Sequence, residues 1–135
     1  NNIKDLQERK GCISMIVNAG KEDIIANYIQ EKYRVIKIGD GSDGTAPSQT
    51  NLDHVVFTHA TDVTPTRVGS TLIWNVDFLG SQIPTSGITE LGIFHNNSDT
   101  DVNTSGVMLT RVTFTSTGVV AASDTVSFTI RVELK

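Results

Sequence analysis

The chain has 135 residues, with 11 Lys and Arg against 15 Asp and Glu, and a formal net charge of −4. One domain of this size can bury a core without cross-links, and the acidic balance argues against duplex nucleic acid as a partner. The single cysteine, Cys12, excludes an intrachain disulfide and a multi-cysteine zinc site. No apolar run reaches the length of a membrane span and no signal peptide is recognisable, so we expect neither.

The beginning of the chain predicts an arm that leads into a single domain. Residues 1–13 contain a short polar stretch, and we expect them to form an N-terminal arm ahead of one domain at residues 14–135. Residues 12–17 are apolar enough for a short strand, and Cys12 is expected to be a small buried hydrophobic residue.

One segment has the spacing of an amphipathic helix. Residues 20–31 carry apolar side chains that recur on one helical face, namely Ile24, Ile25, Tyr28 and Ile29. Glu22 and Asp23 then fall in the first turn, where the positive end of the helix dipole favours acidic side chains. The pattern predicts one N-terminal helix.

After the helix the sequence reads mainly as strands and turns, and the clearest strands alternate between apolar and polar residues with the period of two that is typical of half-buried strands. The predicted strands are residues 33–38, 55–58, 70–78, 88–94, 107–115 and 125–134. Met108, Val112 and Phe114 are predicted to face inward in the fifth of these strands. Four aromatic residues on the apolar sides are predicted to share one core: Trp74, Phe78, Phe114 and Phe128.

The connections between these strands are too short for helical crossovers, which favours antiparallel pairing. Several strands joined by short turns, with a single helix before them, predict a mainly β fold. We expect an antiparallel β-sandwich, jelly-roll-like, with one N-terminal helix.

The string Gly39-Asp40-Gly41-Ser42-Asp43-Gly44 has the glycine spacing of a dinucleotide-binding loop. That chemistry needs a helix that begins at the third glycine, so that its amides meet the pyrophosphate. Residues 45–48 have no helical period, and the two aspartates would repel phosphate. The string therefore favours a glycine-rich turn that needs positive φ angles, and we expect no nucleotide and no other cofactor.

Two groups of acidic residues could in principle hold calcium, which prefers oxygen ligands. Residues 99–103 resemble the start of an EF-hand loop, but Thr104 and Thr110 stand where that loop needs glycine and glutamate. Asp40 and Asp43 form the second group. Solvated loops are the expected outcome in both places, and we assign no metal site.

No catalytic site is assigned. His54, His59 and His95 are scattered, and the spacing of the first two puts them on opposite faces of a strand. Glu90 lies within a strand pattern, and inward acids are uncommon unless they are paired, so we predict a buried or half-buried ion pair with Arg111. Trp74 is expected in the core, and a surface position would instead suggest sugar stacking. The glycosylation sequons at residues 96–98 and 103–105 carry no meaning without secretion.

Several short strings along the chain, in their order, resemble a recurring structural module of tailed viruses of bacteria and archaea. The strings are residues 16–21, 36–41, 45–48, 51–52, 74–78, 87–94, 106–114 and 124–130. The order is similar to that found in tail-fibre and collar-type proteins and in small capsid decoration proteins. The resemblance spans residues 14–134, and it brings no catalytic residues.

The resemblance implies a virion structural protein, located in the virus particle after assembly in the host cytoplasm. It implies a symmetric homo-oligomer, with a trimer as the first expectation, and major capsid or tail proteins as further partners. The size of the chain favours a short accessory protein over a long fibre, with the arm at residues 1–10 as the anchor. Two alternatives stay open: a carbohydrate-binding or host-adhesion module, which would need two or three exposed aromatic residues on one face, and a small enzyme.

Overall fold

The computed structural model describes residues 13–59, 63–95 and 107–134 of the chain. The helical segment comes first and consists of α1 (Asn18–Ile24), a π-helical turn (Ile25–Ile29) and α2 (Gln30–Lys32). The strands that follow are β1 (Tyr33–Gly39), β2 (Val55–His59), β3 (Thr66–Val68), β4 (Thr71–Leu79), β5 (Glu90–His95), β6 (Met108–Thr113) and β7 (Thr125–Glu133), with a 3-10 turn (Gly80–Gln82) after β4.

The described strands form two antiparallel sheets. The four-stranded sheet has the order β2-β1-β5-β6, and the three-stranded sheet has the order β3-β4-β7. The prediction of a mainly β antiparallel sandwich with one N-terminal helix is confirmed. No helix in the described ranges is long and apolar enough to cross a membrane.

The core lies between the sheets, because each central strand turns its apolar positions toward the other sheet. Fully or nearly fully buried side chains come from β1, β4 and β5: Ile36, Ile38, Leu72, Trp74, Val76, Phe78, Leu91 and Ile93. Burying a side chain of this size stabilises the fold by about 1.5–3 kcal/mol. The Trp74 indole is satisfied inside the core, since Nε1 donates a hydrogen bond to the Tyr33 carbonyl oxygen at 2.8 Å.

The predicted core of four aromatic residues is confirmed, with a gradient of burial across it. Trp74 and Phe78 are fully buried, whereas Phe114 and Phe128 are half-buried and pack against the same cluster. Phe128 contacts both a fully buried and a half-buried ring, because its ring centroid lies 6.1 Å from that of Phe78 and 5.4 Å from that of Phe114.

The helical segment differs from its prediction at its start and in its exposed face. It begins at Asn18, so Glu22 and Asp23 lie beyond the first turn, which contains no acidic residue. Ile25 and Ile29 are buried against the sheet, but Ile24 and Tyr28 are exposed. Residues Ile25–Ile29 form a π-helical turn, and its first and last side chains are the ones that pack in the core.

Three strand predictions were wrong in detail. Residues 13–17 form no strand and are exposed, and Cys12 lies outside the described residues. The short strand β3 was missed, because three residues are too few to show a period. Met108 faces away from the main core and packs on Phe94, because the β5–β6 register shifts between Ile93 and Phe94.

Candidate functional site

Residues 40–54, which connect β1 to β2, cover the outer face of the four-stranded sheet, and this region is called the covered face below. The β1 strand is accordingly buried on both sides, including Lys37, whose ammonium lies 4.4 Å from the centroid of the Phe94 ring. This distance is that of a cation–π contact. Leu52 from the connection packs on Phe94 and Val35 in a second small apolar cluster.

Glu90 is the centre of the covered face, and its side chain is fully buried. Its Oε2 accepts hydrogen bonds from the backbone N–H groups of Gly41 at 2.8 Å and His54 at 2.9 Å. Its Oε1 accepts from the Asp53 backbone N–H at 3.0 Å and from Arg111 Nε at 2.8 Å. One carboxylate thus joins both ends of the connection to the sheet, and the predicted Glu90–Arg111 ion pair is confirmed.

Arg111 extends this network through the rest of its guanidinium. Nη1 donates to Thr45 Oγ1 at 3.0 Å, and Nη2 donates to Asp53 Oδ2 at 3.1 Å. Asp53 Oδ2 also accepts the Asp43 backbone N–H at 2.8 Å. The two charges are therefore satisfied by protein groups, as buried charges must be. Thr45 and Asp53 were not predicted from the sequence, although a long connection without regular structure is uncommon in a compact domain and is often functional.

The glycine string serves this network by allowing the backbone to approach it closely. A Cβ atom on Gly41 would lie 2.2 Å from the Asp53 Cβ and 2.5 Å from Glu90 Oε2. The expectation of positive φ angles in this string was wrong: in the described residues they occur at Gly69, Gly87 and Gly118. No helix follows at residues 45–48.

The other predicted candidates do not converge on one site. His54 Nδ1 forms a hydrogen bond with Asp40 Oδ1, and its side chain is 71% exposed. This hydrogen bond and the negative charge of Asp40 raise the pKa of His54 above its usual value. His95 contacts the Tyr33 ring, at 5.3 Å between centroids, and burial raises the pKa of Tyr33. His59 ends β2.

The described residues contain no group of three or more His, Cys, Asp or Glu side chains placed to hold a metal ion. Asp40 contacts His54, whereas Asp43 contributes its backbone N–H to Asp53, so the two acids have different partners. The calcium-like residues 99–103 and both sequons lie outside the described residues.

A groove opens on the side of the sandwich where β6 and β7 end their sheets, and it is called the β6–β7 groove below. It has a volume of about 620 Å³. Its lining is mainly apolar and consists of Thr110, Arg111, Val112, Phe114, Phe128, Thr129, Ile130, Arg131 and Val132. The inward residues of β7 are only half-buried here, in contrast to the inward residues of β4.

Residues 13–17 form a second exposed apolar feature. Ile13 is 96% exposed, Met15 85% and Val17 64%. These exposures show that the segment leaves the domain surface rather than packing on its own core.

No protein-family model matches the chain, and no curated protein matches it. Two regions of the molecule bear on its function: a covered face whose charges are satisfied, and an apolar groove that the described residues leave open.

Proposed function

We propose that the chain is a non-enzymatic structural protein of a tailed-virus particle, which decorates the capsid or attaches at a fibre or collar position. Its contacts are with copies of itself in a symmetric oligomer, with a trimer as the first choice, and with major capsid or tail proteins. The observation that carries this proposal is the β6–β7 groove, where an apolar surface remains half-exposed along two strands at the ends of their sheets. An apolar groove beside an unpaired sheet edge is the kind of surface that accepts a strand from another chain.

The covered face supports a structural role over a catalytic one. A catalytic acid or base has to reach the substrate, whereas Glu90 is fully buried and bonded to four donors of the protein. Arg111 is buried with it and is bonded on three of its nitrogens. The arrangement suits a clamp that holds residues 40–54 on the sheet.

The aromatic residues give the carbohydrate-binding alternative less support. All eight aromatic side chains belong to described residues, and Tyr28 alone among them is exposed. A sugar-binding face needs several such rings side by side, and Trp74, the best ring for stacking, is fully buried.

Two measurements test the proposal. Sedimentation velocity of the purified protein should show an oligomer that dissociates on dilution. An antibody against the protein should detect it in gradient-purified virus particles from the source culture and label the head or tail in electron micrographs. A protein that is monomeric at all concentrations and absent from purified particles would overturn the proposal, and binding on a glycan array would then favour the adhesion alternative.

A further inference from the structure

We infer that residues 13–17 of one copy add as a strand to the free edge of β7 in a second copy and fill its β6–β7 groove. The inference rests on the proposed function in one respect, since it supplies the contact between copies. It names both surfaces of that contact: an apolar donor segment, and an acceptor made of a sheet edge and a groove.

The acceptor edge is long and unprotected. The β7 strand has nine residues and pairs with β4 over its whole length on one side. No described strand pairs with its other side. A free edge presents unpaired backbone N–H and C=O groups, and natural proteins usually block it with proline, charges or a bulge. β7 contains no proline, and its two charged residues, Arg131 and Glu133, lie near one end.

The donor segment has the pattern that such an edge would bind. Ile13, Met15 and Val17 alternate with Ser14 and Ile16, so in an extended strand the first three share one face. All three are exposed in the described chain. A strand that contributes alternate side chains to pockets and its backbone to a sheet edge is the general form of β-augmentation.

The dimensions of donor and acceptor agree. Five residues in an extended strand span about 17 Å, which covers the stretch of β7 that lines the groove. If Met15 lies opposite Ile130, the other two apolar donor residues lie opposite Phe128 and Val132. All three acceptor residues line the β6–β7 groove, and neighbouring strands of a sheet point opposite residues to the same side. The donor side chains would therefore enter the groove.

A second copy is the occupant because the segment does not fill the groove of its own chain. Among the described residues, those that line the groove lie between positions 110 and 132, and the donor segment is exposed. Donor and acceptor are different surfaces of the same chain, so two copies can exchange segments in a two-fold dimer, or successive copies can join head-to-tail and close into a ring. A ring of three copies would match the symmetry proposed above.

The native cysteine provides a direct test by disulfide cross-linking. With Met15 opposite Ile130, Cys12 of the donor lies opposite Glu133 if the strands are antiparallel and near Ser127 if they are parallel. Donor chains that keep Cys12 are mixed with acceptor chains that carry Cys12→Ser together with Glu133→Cys or Ser127→Cys. Directly opposed residues of an antiparallel pair lie about 4.5–5.5 Å apart between Cα atoms, a separation that a disulfide can bridge.

We expect one of the two acceptors to give disulfide-linked heterodimers on mild oxidation. The matched control is an acceptor with Cys12→Ser and Thr66→Cys, because Thr66 is exposed on β3, the opposite edge of the same sheet. Cross-linking at β7 that does not exceed the control would overturn the inference. A chain that carries both cysteines and cross-links only within itself would also overturn it, because the occupant would then be its own segment.

A pair of charge substitutions tests the inward face of the donor. Met15→Asp should weaken self-association about tenfold or more, because it would bury a charge in the apolar groove. Ser14→Asp adds the same charge to the outward face and should not weaken self-association, since in the antiparallel register it lies opposite Arg131, where an opposite charge favours pairing. Both positions are exposed, so both variants should keep the parent melting temperature at protein concentrations where the parent is monomeric. Equal effects of the two substitutions would contradict the inference.

The failure of this contact can be distinguished from failure of the proposed function. If the protein oligomerises and is found in particles but β7 does not cross-link to Cys12, the inference falls and the proposed function stands. If β7 cross-links but the protein is absent from particles, the contact stands and the virion role falls.

Discussion

The covered face and the β6–β7 groove belong to the same sandwich but satisfy their side chains in opposite ways. On the covered face, residues 40–54 bury Glu90 and Arg111, and each charge is bonded to protein groups. In the groove, Phe128 and Val132 stay half-buried although they occupy inward positions. In this small fold, the burial of a side chain therefore depends more on what lies over its strand than on the direction in which the side chain points.

The largest expected effect concerns the aromatic core, in which Phe78 is fully buried and Phe128 is half-buried. Phe78→Ala should lower the free energy of unfolding by about 3–5 kcal/mol, through lost burial and the cavity that remains. Phe128→Ala should cost clearly less at low protein concentration, because its ring is half-exposed before the substitution. Chemical denaturation of both variants measures the difference.

Repeating these denaturation curves at high protein concentration sharpens the comparison. If a second copy closes the groove, the cost of Phe128→Ala should rise with concentration, while the cost of Phe78→Ala should not. A cost of Phe128→Ala that does not change with concentration would mean that no second copy closes the groove.

The covered face should depend on its central ion pair. Glu90→Gln should lower the free energy of unfolding by about 3 kcal/mol, because it removes the fully buried carboxylate that pairs with Arg111 and leaves that buried charge with the partly exposed Asp53. Glu22→Gln, on the exposed surface of α1, is the control and should change stability by less than about 0.5 kcal/mol. The double variant Glu90→Gln with Arg111→Met should cost less than the sum of its single changes, because the two residues are in contact.

The close approach at the glycine string can be tested with a matched pair of substitutions. Gly41→Ala should destabilise the protein by about 2 kcal/mol, because its Cβ would overlap Asp53 and the Glu90 carboxylate. Gly44→Ala lies in the same connection, and its Cβ would meet nothing within 4 Å. Thermal unfolding should therefore show a lower melting temperature for Gly41→Ala alone, and a similar loss in both variants would contradict the role assigned to Gly41.

The smallest expected effect concerns the exposed pair of His54 and Asp40. The pKa of His54 in the folded state is raised above its ordinary value of 6.5 by the hydrogen bond to Asp40 and by its charge. The pair therefore stabilises the fold fully below about pH 6.5, and this contribution is lost as the pH rises through the raised pKa. An NMR titration should show that Asp40→Asn lowers the pKa of His54, while Asp43→Asn, which changes an acid with a different partner, leaves it almost unchanged.

The sequence predicted the strands well where the alternation was long. Strands β4 and β7 each have nine residues, and their alternation identified the inward side chains correctly. It failed at Met108, because a register shift changes the face of a side chain without changing the sequence pattern. It failed at residues 13–17 because an apolar segment becomes a strand only when a partner edge is available.

The candidate site was predicted in part. Glu90 and Arg111 could be paired from the sequence because both lie in strand patterns where a single buried charge would be costly. Thr45 and Asp53 could not, because they lie in an irregular connection and Thr45 is 66 positions from Arg111. The groove was not predicted at all, since no sequence pattern shows where a sheet ends.

The sequence by itself determined the fold class. Successive side chains of an extended backbone point to opposite faces, so a strand that is buried on one face shows a period of two in its apolar residues. Only the tertiary structure decided the order of the strands, and with it which edges are left unpaired. It also decided that residues 40–54 cover the outside of one sheet, so that Lys37 and Glu90 became buried residues. These outcomes depend on contacts between distant segments, whose free energy comes from packing and satisfied charges in three dimensions and leaves no periodic trace along the chain.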